Sequence, residues 1–455
     1  MKIYLDTIGC RLNQAEIENM ARQFRAAGHT IVATADEADL AVINTCTVTS
    51  QAASDSRGKI RQAARLGAEE ILVTGCWATL EPQPAAALPN VLRVVTNDRK
   101  DALVAELLHL QPFENLRATP STLRAEPQGE AFDLEPVVRQ PLPGLRQRTR
   151  AFIKVQDGCD NHCTFCITAI ARGAGRSRPI PDVLADIRAA LAGGTKEIVL
   201  TGVHLGSWGH DLSTYPSGTM SLGAGLGLCL RDLVKTILNE TDAPRLRLSS
   251  LEPWDLDADF FSLWQDSRLC RHLHLPLQSG CAGVLRRMAR KTTPEAYAAL
   301  LAIARAAIPD VAITTDMIAG FPGETEAEFN ESLAFVRQMN FSGGHVFTYS
   351  ARPGTAAARM GGQVTHEVRK ERNAALRAVF AEAAQMYRKK FLGVRMPVLW
   401  ESTSQLSEWV WRMEGLTDNY LRVSAVAPHP MWNEISTVDL MALEADGLRG
   451  ALHGE

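Results

Sequence analysis

Three cysteines stand in one short loop: Cys159, Cys163 and Cys166 in DGCDNHCTFC, at spacing C-x3-C-x2-C. Three thiolates from one loop can hold three irons of a 4Fe–4S cube and leave the fourth iron without a protein ligand. An open iron can bind a small molecule and pass it an electron. That is the start of radical chemistry with S-adenosylmethionine (SAM), in which the cofactor carries the hard step and the protein positions it. The competing reading is a zinc knuckle or a structural thiol cluster. Zinc sites usually pair C-x2-C motifs to reach four ligands. No fourth cysteine follows nearby, although His162 lies inside the loop, so the spacing favours the cluster.

A second trio, Cys10, Cys46 and Cys76, is joined by context rather than by spacing. Each stands just past a strand-like run: TIGC, INTC and VTGC. In an open parallel sheet, ligand sites gather beyond the carboxyl ends of the strands. Three adjacent strands would bring these thiols to one rim, with Gly9 and Gly75 allowing close backbone approach. The alternative is three buried structural thiols, since free cysteine is commonly buried. Their shared placement argues for a second three-cysteine cluster site. Cys229, Cys270 and Cys281 share no context and read as ordinary thiols.

The elements that must carry these residues fall into three sections. The first 110 residues alternate apolar strand runs (KIYLDTIGC, DLAVINTC, EEILVTGC, VLRVVTN) with helical ones (QAEIENMARQFRAAG and about 52–66), a parallel α/β pattern. A Pro-, Glu- and Arg-rich stretch, 113–145, reads as a linker. A second α/β series follows, with strand candidates FIKVQ, EIVLTG, RLRLSS, HLHLPLQ, VAITTDMIAG and HVFTYS. Pro181 and Pro294 occupy first-turn helix positions between them, where a missing N–H costs nothing. Six βα repeats predict a partial (βα)6 barrel rather than a closed eight-stranded one. After a long helix near 367–391, short alternating runs predict a small antiparallel β-barrel. The expected domains are 1–112, 146–390 and 391–455.

The 455 residues are 46% apolar and 22% charged, ordinary values for a globular chain. A chain this long can bury sizeable cores without disulfides, so nine cysteines point to metal or redox use. A net charge of −3 gives no global pull toward nucleic acid, so RNA contacts would rest on local basic patches. The start MKIYLDTIGCRLNQ lacks the apolar core of a signal peptide, and no run of apolar residues is long enough to span a bilayer. A reducing cytoplasmic setting, without membrane association, is the expectation.

The chain resembles the radical-SAM methylthiotransferases over nearly its whole length. The segments that carry the resemblance include GCRLNQAE, NTCTVT, VTGCWA, FIKVQDGCDNHCTFCI, ARGAGRSR, EIVLTGVHLG, RLSSLEP, HLHLPLQSG, RRMARK, TTDMIAGFPGETE and HVFTYSARPGT. The wording is most similar to the branch that modifies N6-threonylcarbamoyladenosine in tRNA. Two other branches act on isopentenyladenosine in tRNA and on an aspartate of a ribosomal protein. The resemblance implies an N-terminal methylthiotransferase domain, a radical-SAM partial barrel and a C-terminal TRAM barrel. It implies two 4Fe–4S clusters, on Cys159, Cys163 and Cys166 and on Cys10, Cys46 and Cys76, together with SAM. It also implies a methylthio group added to C2 of the adenosine at tRNA position 37. A low-potential electron donor and a sulfur donor of unknown identity would be needed; neither DNA nor membrane is implicated. The TRAM segment departs from a strongly basic character, being acidic in DLMALEADG.

Further contacts follow from position. Phe165, between two cluster cysteines, is expected to pack near the cofactor or to shield the cluster from water. Thr201, Gly202, Glu252, Gln278 and Gly320 sit at strand ends, where barrels of this type carry function, and are candidate SAM contacts. The alternatives are a turn glycine at Gly202 and an arginine-paired structural carboxylate at Glu252. Three basic groups are candidate RNA contacts: Arg146, Arg148 and Arg150; Arg172, Arg176 and Arg178; and Arg286, Arg287, Arg290 and Lys291. The second, in a Gly-rich loop, is the strongest; the third reads more readily as a solvated helix face. A zinc-stabilised RNA-binding protein without catalysis is the alternative from another class.

Overall fold

A computed structural model describes residues 1–108, 149–212 and 227–454. The expected linker 113–145, with Arg146 and Arg148, lies outside the described residues. By contacts the chain divides into two units, 1–9 with 16–46 and 52–146, and 10–15 with 47–51 and 147–455.

The first unit is built on a five-stranded sheet: β1 (Lys2–Thr7), β2 (Thr30–Val32), β3 (Leu40–Thr45), β4 (Ile71–Gly75) and β5 (Val91–Val95), in spatial order β2-β1-β3-β4-β5. Every pairing is parallel. The helices between are α1 (Arg11–Ala26), α2 (Ser50–Arg65), α3 (Cys76–Leu80), α4 (Pro82–Ala86) and α5 (Leu103–Leu107). β3 and β4 are buried at every position, as strands covered on both faces must be. Each buried Val, Ile or Leu there contributes about 1.5–3 kcal/mol over leaving it exposed. Ile17, Met20 and Phe24 of α1 pack against Ile3, Leu5 and Val42 on one side of the sheet. Ile60 packs with Ile43, Val73 and Trp77 on the other.

The second unit holds six further parallel strands in two groups of three: β6 (Arg150–Lys154), β9 (Glu197–Thr201) and β10 (Arg245–Leu248), then β11 (His272–His274), β12 (Ala312–Ala319) and β13 (Gly343–Thr348). Isolated parallel bridges at Leu246–Leu269 and Ser250–His274 link the groups into one open barrel. A short antiparallel hairpin, β7 (Gln156–Asp157) with β8 (Arg176–Ser177), flanks the cysteine loop. The helices are α6 (Thr168–Arg172), α7 (Ile180–Ala192), α8 (Leu230–Glu240), α9 (Ala258–Phe261), α10 (Ala282–Arg287), α11 (Pro294–Ala307), α12 (Glu326–Met339) and α13 (His366–Lys389). Pro294 opens α11 behind a Thr293 cap, and α12 begins with a Thr325/Glu328 capping box.

The last section closes a barrel in the order β14-β15-β16-β18-β17, from β14 (Arg395–Ser407), β15 (Val410–Thr417), β16 (Arg422–Ala427), β17 (Ile435–Leu443) and β18 (Leu448–Leu452). It departs from a purely antiparallel barrel at one pairing: β16 and β18 run parallel. Five strands in a closed ring cannot all alternate direction, so one pair must be parallel. The amino ends of the larger barrel's strands meet this one through arginines: Arg245 donates to the carbonyls of Leu416 and Pro397, and Arg247 to those of Thr417 and Asp418. Arg247 also forms a fully buried pair with Glu197, at 2.6 Å. Burial disfavours charge on Glu197, but Arg247 holds its carboxyl below the usual range.

Candidate iron–sulfur and SAM site

The cysteine loop leaves the β7–β8 hairpin at Gly158, whose φ is +69°. A Cβ there would stand 1.9 Å from the Ala174 carbonyl oxygen, so glycine alone permits the turn. The Cys159 amide donates to the Gly173 carbonyl at 3.0 Å, and the Thr164 amide to that of Met288 at 3.0 Å. The Thr164 hydroxyl donates to the Arg287 carbonyl at 2.9 Å. Phe165 is half-buried against Val284, Met288, Phe321 and Tyr349, which anchors the loop to the barrel core.

Donors surround the three sulfurs. The Asn161 and Thr168 amides each lie 3.4 Å from a sulfur, of Cys159 and Cys166 respectively. Nη1 of Arg290 lies 3.8 Å from Cys163 Sγ. Burial raises the Cys163 thiol and Arg290 opposes the rise. Hydrogen bonds and charge at thiolate sulfur are the protein's levers on a cluster's potential. Three thiols from one loop, each sulfur met by an N–H donor, are the ligand set that a 4Fe–4S cube with one open iron requires, so the residues fit the group.

Two polar assemblies tie this loop to the strand ends. Gln156 Oε1 accepts from the amides of Val203 and His204 at 3.0 and 2.9 Å, and its Nε2 donates to the Gly158 carbonyl at 2.8 Å. The turn holding Thr201 and Gly202 is thereby fastened to the cluster hairpin; a Cβ on Gly202 would meet Gln156 at 3.0 Å. Nε2 of His204 lies 2.6 Å from Asp255, and its Nδ1 lies 3.2 Å from the side-chain Nδ2 of Asn161. Burial lowers its imidazole, but the bonds to Asp255 and Cys159 outweigh it and push it up to about 9. Arg290 is the second link: it pairs with Glu252 at 2.7 Å, donates to the Pro276 carbonyl at 2.6 Å and stacks on Trp254 at 4.5 Å. Gln278 and Gly320 follow β11 and β12 with φ of +75° and +73°. The Gly320 amide donates to Glu324 at 2.9 Å.

The basic residues divide differently from the expectation. Arg172 is buried, 2.9 Å from Asp157 and 2.7 Å from Asn13 within the same unit. Its donors are spent on fixing the hairpin, so it is no surface contact for RNA. Arg178 binds Asp186 and the Lys154 carbonyl, both at 2.8 Å, and stays half-buried. Arg176 remains exposed. Arg290 is buried rather than part of a solvated face, and Arg287 is paired with Glu328 at 2.8 Å; Arg286 and Lys291 stay exposed. Arg150 is paired with Glu401. His204, Asp255, Gln156 and Trp254 were missed by sequence reasoning, because no motif joins residues so far apart.

In the first unit, Cys46 and Cys76 are buried and directly follow β3 and β4, which are neighbours. Gly75 has φ +99°, and a Cβ there would lie 2.3 Å from the Thr45 carbonyl oxygen. The Thr45 backbone thus occupies the space that a side chain at position 75 would need. Asn97 donates to Cys76 Sγ at 3.6 Å, and Ser56 accepts from the Cys46 amide at 2.9 Å. Asn44, two residues before Cys46, joins a buried network with Glu16 and Lys100, whose ion pair measures 2.8 Å. Cys10 stands three residues beyond β1, the other neighbour of β3.

Residues 153–336 match the radical SAM superfamily, and residues 2–96 match the uncharacterized protein family UPF0004. The barrel and its cysteine loop thus define an iron–sulfur, SAM-dependent enzyme. The chain is 35% identical to threonylcarbamoyladenosine tRNA methylthiotransferase MtaB of Bacillus subtilis over 96% of its own length and 92% of that protein's. The Thermotoga maritima protein of that name is 34% identical, over 92% and 89%. A tRNA-2-methylthio-N(6)-dimethylallyladenosine synthase of Maricaulis maris is 31% identical, over 100% and 97%. The protein belongs to the radical-SAM methylthiotransferase family, with its wording nearest the MtaB branch. Among solved structures, the radical SAM methyltransferase TsrM of Kitasatospora setae shares the fold, with a TM-score of 0.54 at 14% identity over 76% of this chain and 72% of that one. No helix among the described residues is long and apolar enough to cross a membrane.

Proposed function

We propose that this protein adds a methylthio group to C2 of N6-threonylcarbamoyladenosine at position 37 of tRNA. The observation that supports the reading is that Cys10, Cys46 and Cys76 each follow, in the chain, one of the neighbouring strands β1, β3 and β4. A single radical cluster serves many reactions; a second cluster in the same chain suits sulfur insertion. The substrate rests on similarity to relatives named for threonylcarbamoyladenosine.

When bound, a 4Fe–4S cluster with SAM supplies a carbon radical able to take hydrogen from an unactivated carbon. Cys159, Cys163 and Cys166 would hold that cluster, and Arg290 and His204 would set the charge at its sulfurs. Thr201, Gly202, Glu252, Gln278 and Gly320 are placed at strand ends where SAM would be oriented, and Phe165 keeps water from the loop. Glu252 enters this role already paired with Arg290, which fixes its direction. Arg176 is the exposed member of its group available to a tRNA phosphate. tRNA, a low-potential electron donor and a sulfur donor are the partners this implies, in the cytoplasm.

Nucleoside profiling of a deletion strain tests the substrate. Loss of the methylthio derivative of threonylcarbamoyladenosine, restored by the gene, is the expected result. Its persistence with loss of the dimethylallyladenosine derivative would assign the chain to the other tRNA branch.

A further inference from the structure

His274, Asp316 and His345 sit on three successive strands of the barrel, β11, β12 and β13, with ligand-capable atoms within 4.8 Å of one another. His345 stands directly opposite Asp316 across the β12–β13 pairing, and His274 pairs with Thr314, two residues before Asp316. Oδ2 of Asp316 lies 3.2 Å from Nε2 of His274, and Oδ1 lies 3.2 Å from Nδ1 of His345. Burial alone would raise the Asp316 carboxyl, but the two imidazoles hold it well below the usual range.

We infer that these three side chains form a binding site for one divalent transition-metal ion, separate from both cysteine sets. Two imidazoles and one carboxylate are the donor set of many zinc and iron(II) sites, and three protein ligands leave positions open for water or a substrate oxygen. Metal–ligand bonds of about 2.0–2.1 Å place neighbouring donors roughly 3.0 Å apart in an octahedron and 3.4 Å in a tetrahedron. The two observed separations fall between these values, so an ion enters with small rotations of side chains held on rigid strands.

The surroundings orient the donors as metal sites do. Nδ1 of His274 lies 2.9 Å from the Thr314 hydroxyl, which also lies 3.0 Å from Nε2 of the buried His272. Thr314 has one proton to donate. If it goes to His272, the hydroxyl oxygen accepts Nδ1–H of His274, and the bare Nε2 of His274 faces the Asp316 carboxylate. Two lone pairs then face each other across 3.2 Å, a contact that a cation between them makes favourable. If the proton goes to His274, Nε2–H donates to Asp316 and the trio is a hydrogen-bonded bridge. Metal binding selects the first arrangement.

The face is the one that looks toward the cluster loop. Thr314, Asp316 and Ile318 alternate with buried residues along β12 and share one side. Ile318 packs in the apolar group that also holds Phe165. The site therefore belongs to the same side of the barrel as the SAM chemistry.

The test is equilibrium dialysis of zinc against the anaerobically reconstituted full-length enzyme, with zinc and iron counted together. The wild type should take up one zinc per chain while its iron stays constant. Asp316→Asn and His345→Gln should each weaken uptake by at least about tenfold. His345 is 70% exposed at its side chain, so its replacement leaves the fold intact. Anomalous scattering at the zinc edge should place the ion between the three residues. Equal uptake by all three proteins, no uptake, or uptake only as iron is lost would each reduce the trio to a hydrogen-bonded bridge. No tRNA enters the measurement, so its outcome is independent of the substrate.

Discussion

Arg290 brings its guanidinium to 3.8 Å from the sulfur of Cys163 while its other arm holds Glu252 at 2.7 Å. One buried cation thus joins a thiol of the cluster loop to a carboxylate at a strand end. A positive charge beside a cluster sulfur favours the reduced cluster, which carries more negative charge. Replacing Arg290 with glutamine should move the midpoint potential of the loop cluster negative by some tens of millivolts. Arg290→Lys, which keeps the charge, should move it much less. Potentiometric titration followed by electron paramagnetic resonance reads both; equal shifts would show that shape rather than charge matters.

The two cysteine sets should load independently. The wild type, reconstituted without oxygen, should carry about eight iron and eight sulfide. Cys159→Ala should retain about four, held by Cys10, Cys46 and Cys76, and Cys76→Ala about four, held in the loop. Two zinc and no sulfide in the wild type would sink the radical reading altogether.

Gly75 and Gly158 should tolerate no side chain. Each has a positive φ, and a Cβ would strike a backbone carbonyl at 2.3 and 1.9 Å respectively. Gly75→Ala should cost more than about 2 kcal/mol, from strain plus displacement of the β3 end. The expected signature is selective: iron is lost from the Cys46–Cys76 side while the loop cluster survives. Gly158→Ala should do the reverse. Iron counts on soluble variants decide it.

Legibility in the sequence followed length and periodicity. β3 and β4 were readable because both faces are covered and the runs are wholly apolar. The three-residue edge strand β2 gave no such signal, and β17 and β18 break the apolar-in, polar-out alternation, with Ile435 and Met441 exposed and Gly450 buried. The six cysteines stood out by loop spacing or by shared strand-end context. Arg290 did not, because RRMARK reads as a charge run and only the tertiary fold turns one of its arginines inward onto Glu252. His204 and Asp255 are likewise joined by three-dimensional structure alone, as are His274, Asp316 and His345.

Arg172 and Arg176 should separate structure from RNA binding. Arg172→Met takes one cation from the buried Asp157, which keeps Lys154 at 3.3 Å and the Gly158 amide at 2.8 Å, and should cost about 1.5–3 kcal/mol, seen as a lower unfolding midpoint. Arg176→Ala should leave that midpoint in place, weaken tRNA binding and reduce the salt dependence of affinity by about one ion. An unchanged salt slope would remove Arg176 from the RNA surface.

The Arg287–Glu328 pair should make stability fall in acid. The hydrogen bond from Arg287 is the main cause holding the Glu328 carboxyl down at about 2, against about 4.3 in an unfolded chain. Its contribution is therefore complete above about pH 4.3 and is lost as the pH falls toward about 2. The stability gap between wild type and Glu328→Gln should narrow over that window. A constant gap from pH 6 to about pH 2.5 would show that the charge contributes nothing.

The most direct test of the account is a single-vessel reaction. The anaerobically reconstituted enzyme, with SAM, a reductant and a sulfide source, is offered equal amounts of tRNA bearing threonylcarbamoyladenosine and tRNA bearing dimethylallyladenosine. Mass spectrometry of the digested nucleosides should find the methylthio group on the first alone, with none formed by Cys76→Ala. Methylthio product on the second alone, or undiminished product from the variant, would contradict it.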